Sequence, residues 1–120
     1  MSENNTREYF LNCIITTAVE GGTGYWAVVH EYKPSDEGQG YAVLQEFDEA
    51  TGDGIGNKMR LDHDAVEEGL WRITHGKTDL SDKLVAAVAG WSATNDLIEI
   101  DADAADIITQ VALLGQVVYG

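Results

Sequence analysis

Apolar positions follow two different periods along this chain. Phe10, Leu11, Ile14, Ile15, Ala18 and Val19 recur at three- and four-residue spacing, with Asn12, Thr16 and Thr17 on the other side, which predicts an amphipathic helix. Gly21-Gly22 supplies a C-terminal stop, although the β-branched residues also allow a strand over Cys13–Ala18. From Tyr25 to Tyr32 the period drops to two. Trp26, Val28, His30 and Tyr32 share one predicted face, and Tyr25, Ala27, Val29 and Glu31 the other. Lys33–Gly40, with the only proline, reads as a loop. Tyr41–Phe47 reads as a second strand, and a Gly/Asp turn leads to a short third strand around Lys58–Leu61. Three segments so close in sequence predict an antiparallel meander.

Helical spacing then returns. Asp62 or Asp64 can cap a helix through Ala65, Val66, Leu70 and Ile73 that ends near Gly76, and Asp64 with Glu67 has capping-box spacing. Asp79 or Ser81 can cap a second, carrying Leu84, Val85, Val88 and Ala89. Asp101 can cap a third, through Ala105, Ile108, Val111 and Ala112. Ile107 and Leu114 make that last helix apolar nearly all round, which places it centrally. Gly115 ends it, leaving Val117–Tyr119 as a short terminal strand or a docked tail. The expected fold is α+β: a small antiparallel sheet of three or four strands packed with about four helices. Residues 1–9 read as a polar N-terminal tail and residues 10–120 as one domain, a normal size for a single core.

Charge changes the picture more than any motif does. Seven Lys and Arg stand against 21 Asp and Glu, a net charge of −14. Such a surface repels nucleic-acid phosphate and anionic lipid, so direct nucleic-acid binding and membrane-surface binding are disfavoured. No apolar run reaches the roughly 20 residues that cross a bilayer, and the polar N-terminus lacks a signal-peptide pattern. These features predict a cytoplasmic protein. The single cysteine, Cys13, excludes an internal disulfide and lies in an apolar stretch, where a buried inert thiol is expected.

Catalytic and metal chemistry find little footing. His30, His63 and His75 fall in three different elements without ligand spacing, and no zinc, phosphate-loop or nucleophile-elbow motif is present. Asp48–Asp53 lacks the alternating oxygen ligands and closing Glu of a calcium loop and reads as a hairpin turn. No enzyme activity, metal or cofactor is expected. The stretch Glu20-Gly-Gly-Thr-Gly-Tyr-Trp-Ala27 is the most suggestive. Gly22 and Gly24 would let the backbone approach a ligand, and Tyr25 and Trp26 would stack on a base or a partner side chain; a helix stop with Trp26 entering the core explains the same residues. Asp96, Glu99, Asp101, Asp103 and Asp106 form the densest carboxylate group. Asp101 and Asp103 suit a helix N-terminus, and Asp103 and Asp106 are the candidate acidic contacts. Trp71 and Trp91 sit beside or slightly off the apolar stripes of their helices and read as core edge; were both exposed, they would mark an interface.

Two stretches, Thr16–Ala27 and Ile100–Gly120, together resemble a family of small uncharacterised proteins encoded by tailed phages and by actinobacterial and other mobile elements. The similarity runs from about residue 10 to Gly120 and is looser in the middle. Where that family has Phe-Gly-Glu before its final Val-Val-Tyr-Gly, this chain has Leu114-Gly-Gln116. The resemblance implies a phage-type accessory protein acting in the host cytoplasm. With the acidity, it suggests engagement of a host or defence protein that has a basic surface, in the extreme as a nucleic-acid mimic. A sponge for a small nucleotide-like ligand is the alternative, with Lys33, Lys58, Arg60 and Arg72 as its candidate cations. A structural or assembly role, through a homodimer, is a third.

Overall fold

The computed structural model describes residues 5–35 and 38–120; residues 1–4 of the expected tail and 36–37 of the expected loop lie outside the described residues. The fold is α+β, with a three-stranded antiparallel sheet in the order β1-β2-β3 and four helices. Helix α1 covers Arg7–Thr17, so the helix begins three residues before the expected Phe10. Thr6 starts it, its hydroxyl accepting from the Tyr9 amide at 3.1 Å and so satisfying one orphan N–H of the first turn. Phe10, Leu11, Ile14, Ile15 and Ala18 are buried, on the face their spacing predicts. Asn12, expected on the polar side, is buried too. Its Oδ1 accepts from the Gly40 amide at 2.9 Å and lies 2.7 Å from His63 Nε2.

The glycine pair does not simply stop this helix. Ala18–Gly22 forms a π-helical turn, closed by the Thr23 amide on the Ala18 carbonyl at 3.0 Å. Strands β1 (Ala27–Lys33), β2 (Tyr41–Phe47) and β3 (Gly54–Leu61) follow, the third several residues longer than its apolar pattern suggests. Asp48–Asp53 is the hairpin turn between β2 and β3, with Gly52 at φ +77°. The predicted alternation of β1 fails. Trp26 lies in the turn before the strand, and His30 is an extra residue between the pairs Val29–Leu44 and Glu31–Val43. A bulge of this kind resets the two-residue period, and Val28 and Val29 are both exposed. A second irregularity sets Gly56, Asn57 and Lys58 of β3 opposite Gln45 alone. The Gln45 carboxamide spans both, pairing with His30 Nε2 at 2.8 Å and donating to the Gly56 carbonyl at 2.8 Å.

Helices α2 (His63–Thr74), α3 (Asp82–Thr94) and α4 (Ala102–Leu114) begin at Asp62, Ser81 and Asp101. Each cap side chain accepts from the backbone three residues on, at 2.9, 3.2 and 2.9 Å. The Asp64–Glu67 capping box does not form, because Asp64 is already inside the helix and Glu67 binds Arg7. Helix α4 is the centre of the core, with seven residues from Ala104 to Val111 buried. It packs against α2 where Gly69 admits it: a Cβ at Gly69 would lie 2.9 Å from Ala112 Cβ and 2.9 Å from the Ile108 carbonyl. Ala42, Leu44 and Leu61 are the fully buried residues of β2 and β3 in this core. Most of β3 stands exposed beyond it.

Candidate functional site

The glycine-rich turn, the aromatic pair and one of the aspartates do converge, but on one another. Asp106 is buried on α4, where its Oδ1 accepts from Trp26 Nε1 at 2.8 Å and its Oδ2 from the Tyr25 hydroxyl at 2.6 Å. Gln110, one helical turn on and fully buried, donates to both carboxylate oxygens at 3.1 and 3.2 Å. Among the described residues no cation pairs with this carboxylate, and neutral donors satisfy it instead. Asp106 is therefore not an acidic surface contact. It is the polar hub of the core, and its position on the buried face of an almost wholly apolar helix is the reason.

Gln110 also holds the last residues of the chain. Its Oε1 accepts from the Val118 and Tyr119 amides, both at 2.8 Å, and its Nε2 donates to the Tyr119 carbonyl at 3.2 Å. This segment is the docked tail of the two options read from the sequence; it adds no fourth strand. Tyr119 lies over Trp26, with ring centroids 5.3 Å apart and planes 7° from parallel. Trp26, only 2% exposed, thus offers no open face to a base. Gly22 does permit a close approach, but of α4: a Cβ there would lie 2.8 Å from the Ala102 carbonyl. Gly24 has open space around it and a φ outside the positive range, so nothing at that position requires glycine. Tyr25 remains half-exposed beside Asp103, which is exposed in the first turn of α4. Lys33, Lys58, Arg60 and Arg72 stand on β1, β3 and α2, and none makes a hydrogen bond or ion pair with Tyr25 or Trp26; Arg60 lies over the Tyr41 ring instead.

Phenols do some of the work that cations would do in a less acidic protein. Tyr25, Tyr41 and Tyr119 donate to Asp106, Glu31 and Glu46, and all three hydroxyls are held above the ordinary tyrosine value. For Tyr25, desolvation is the largest cause, followed by the Asp106 hydrogen bond, and the pKa is pushed from 10.0 up to about 12. A folded-state pKa above the unfolded one means that this contribution to stability is complete below pH 10. It is lost as pH rises through 12. Tyrosinate absorbance followed against pH should show one phenol of the wild type ionising near pH 12 that is absent from Tyr25→Phe. Ionisation of that phenol at its ordinary value would contradict the Asp106 contact.

The surface carboxylates gather elsewhere. The loop from α3 to α4 runs Asp96-Leu-Ile-Glu-Ile-Asp101, and Ile98 at its tip is 81% exposed. Asp96 shapes the loop by accepting from the Ile98 amide at 2.9 Å. Glu99, Asp101 and Asp103 are exposed, as is Glu20 on the π turn, whose neighbour Gly21 packs on Ala102 of α4. The ion pairs formed among the described residues are Arg7–Glu67, Arg60–Asp62 and Arg72–Glu68. None neutralises this end of the molecule.

A second acidic surface escaped the sequence reading. A groove of about 630 Å³ is lined by Arg7 of α1, by Asp64, Glu67, Glu68 and Trp71 of α2, and by Ser92 of α3. Trp71 is 48% exposed, while Trp91 is half-buried against the core. The signal was present in the spacing: Asp64, Glu68, Trp71 and His75 form a second stripe along α2, opposite its apolar one. The Glu67 carboxyl is held below the usual range by its hydrogen bonds to the Arg7 guanidinium, against an opposing effect of its own partial burial.

No helix among the described residues is long and apolar enough to cross a membrane. No group of three or more His, Cys, Asp or Glu among them is arranged to hold a metal ion. Set against known family models, curated proteins and solved structures, the chain matches none.

Proposed function

We propose that this chain is a binding protein that docks through its acidic surface onto a basic partner protein. The observation that carries this reading is the α3–α4 end of the molecule. There an isoleucine 81% exposed stands among Asp96, Glu99, Asp101 and Asp103, with no ion pair among the described residues to offset them. An apolar tip ringed by uncompensated carboxylates suits a partner that offers an apolar recess within a basic rim. Burial of the isoleucine would supply about 1.5–3 kcal/mol, and charge complementarity would speed encounter and select the partner. The phage-type resemblance supplies the setting: an accessory protein made in the host cytoplasm and directed at a host or defence protein.

The decisive experiment retrieves a partner from host extract at low salt and measures the affinity of the purified pair. Ile98→Ala should weaken it about tenfold or more. The double reversal Glu99→Lys/Asp103→Lys should slow association and flatten its dependence on salt, with only a small drop in unfolding midpoint, because all three side chains are exposed and the chief cost is a cation in the first turn of α4. A partner whose binding is indifferent to salt and to the double reversal would overturn the reading.

A further inference from the structure

The groove between α1, α2 and α3 has features that an acidic surface alone would not need. Its wall is an indole held in place: one face of Trp71 stacks on His75, with centroids 4.4 Å apart and planes 20° from parallel, and His75 Nδ1 lies 2.9 Å from the Trp71 carbonyl. Nearly half of the Trp71 residue stays open to solvent. Asp64, Glu67 and Glu68 stand beside it on the same helix.

The one cation in the lining is already spent. Arg7 gives Nε and Nη2 to the two oxygens of Glu67, at 2.9 and 2.6 Å. Its remaining bonds reach the Ser92 carbonyl, the Ser92 hydroxyl and Asn95 Oδ1. Arg7 therefore braces three helices and neutralises one carboxylate. Glu68 is tied to Arg72 by an exposed pair at 3.2 Å, a geometry of small net worth, and Asp64 makes no ion pair among the described residues. The volume, about 630 Å³, lies within the roughly 300–1,000 Å³ typical of ligand sites. A side chain with an apolar stem and a cationic head fits on every count. The stem lies on the indole, the head faces ring and carboxylates together, and the cation–π attraction adds to the ionic one.

We infer that this groove receives a lysine or arginine side chain projecting from the basic partner, with the stem on Trp71 and the charge toward Asp64 and Glu68. The inference rests on the acidic-docking reading and gives it a recognition element. Along this groove the partner is read by a shaped contact as well as by its overall charge.

The test titrates the isotope-labelled full chain, at low salt, with a short capped glycine–serine peptide carrying one lysine. The same peptide with arginine, or with norleucine, is titrated in parallel. The expected result is fast-exchange amide shifts at Glu67, Glu68 and Thr74 for lysine and arginine, and none for norleucine. Trp71→Ala should weaken the lysine peptide about fivefold, and Asp64→Asn/Glu68→Gln should weaken it by a similar factor. Both variants alter exposed side chains, and superimposable amide spectra elsewhere will show that the fold is kept. Norleucine binding as well as lysine would overturn the inference, as would indifference to Trp71→Ala. Shifts confined to Glu99, Asp101 and Asp103 would overturn it while leaving the docking reading intact. Absence of any shift with either basic peptide would overturn the inference, while the docking reading is decided by the salt dependence of the partner retrieved from host extract.

Discussion

Replacing Asp106 with alanine is expected to destabilise the fold by about 3–5 kcal/mol, close to a third or more of a typical domain's stability. The carboxylate is the shared acceptor for Trp26 Nε1, the Tyr25 hydroxyl and Gln110 Nε2. Each buried donor left without a partner costs about 1–3 kcal/mol. Trp26 and Gln110 are shut away from water, whereas Tyr25 can turn to solvent, so two full penalties and a fraction of a third are expected. Relief of the desolvated charge offsets part of this, since the carboxylate has no cation partner among the described residues. Asp106→Asn separates the contributions. It keeps the shape and one acceptor for Trp26, and its amide can donate to the Tyr25 oxygen, so a loss near 1 kcal/mol is expected. Its second signature is a Tyr25 phenol returning toward its ordinary pKa, because the hydrogen bond and the charge both disappear. Urea unfolding with an unchanged slope is the measurement. An alanine variant within 1 kcal/mol of wild type would show that water replaces the carboxylate without loss.

The second large effect is expected at Trp26. Truncation to alanine removes a buried indole, for which about 3–5 kcal/mol is usual. It also removes the surface on which Tyr119 rests. Two consequences can be read separately. Global stability should fall by that amount. Hydrogen exchange at the Val118 and Tyr119 amides, which Gln110 Oε1 accepts, should accelerate beyond what the global loss explains, as the tail loses its anchor. Trp26→Phe restores the stack and omits the N–H, so it should slow exchange at those amides again while recovering only part of the stability. Tail exchange that merely follows global unfolding in all three proteins would mean that Tyr119 is held by Gln110 alone.

Local signals in the sequence account for the helices well. Asp62, Ser81 and Asp101 cap as their positions before apolar repeats suggest, and Gly115 ends α4 at φ +85°. The density of apolar residues on α4 was enough to place it centrally. Features that depend on distant parts of the chain were not legible. The failure of alternation in β1 comes from a bulge fixed by pairing with β2. The burial of Asn12 reflects a loop that returns to it from Gly38 and Gly40. Asp106 could be placed on α4 by pattern, but only the fold shows that two of the donors around it, Trp26 and Tyr25, come from 80 and 81 positions away. Gly22, Tyr25 and Trp26 read as one candidate site and Asp106 as part of another, and the fold joins them; of the two readings offered for the glycine-rich stretch, Trp26 entering the core is the one seen. Burial of Trp26 and Asp106, with Tyr25 bonded to the same carboxylate, makes them the joint that closes the core. Trp71 goes the other way: an indole that reads as core edge stands on the face of α2 opposite its apolar stripe, with nearly half of it open to solvent.

The bulge at His30 and the long loop-out at Gly56–Lys58, joined through Gln45, bear on how this protein behaves at high concentration. A flat sheet with two open edges is a template onto which further copies can add, strand by strand, toward fibrils. Here the backbone of each outer strand is thrown out of register on its own side. Lys58 on β3 and Glu31 on β1 place charge beside the irregularities, so a second molecule finds no uninterrupted row of amides to extend. Crowded solutions of this chain are thus guarded against edge-to-edge polymerisation by sheet geometry as well as by net repulsion, and high salt, which removes the repulsion, leaves the geometric safeguard in place.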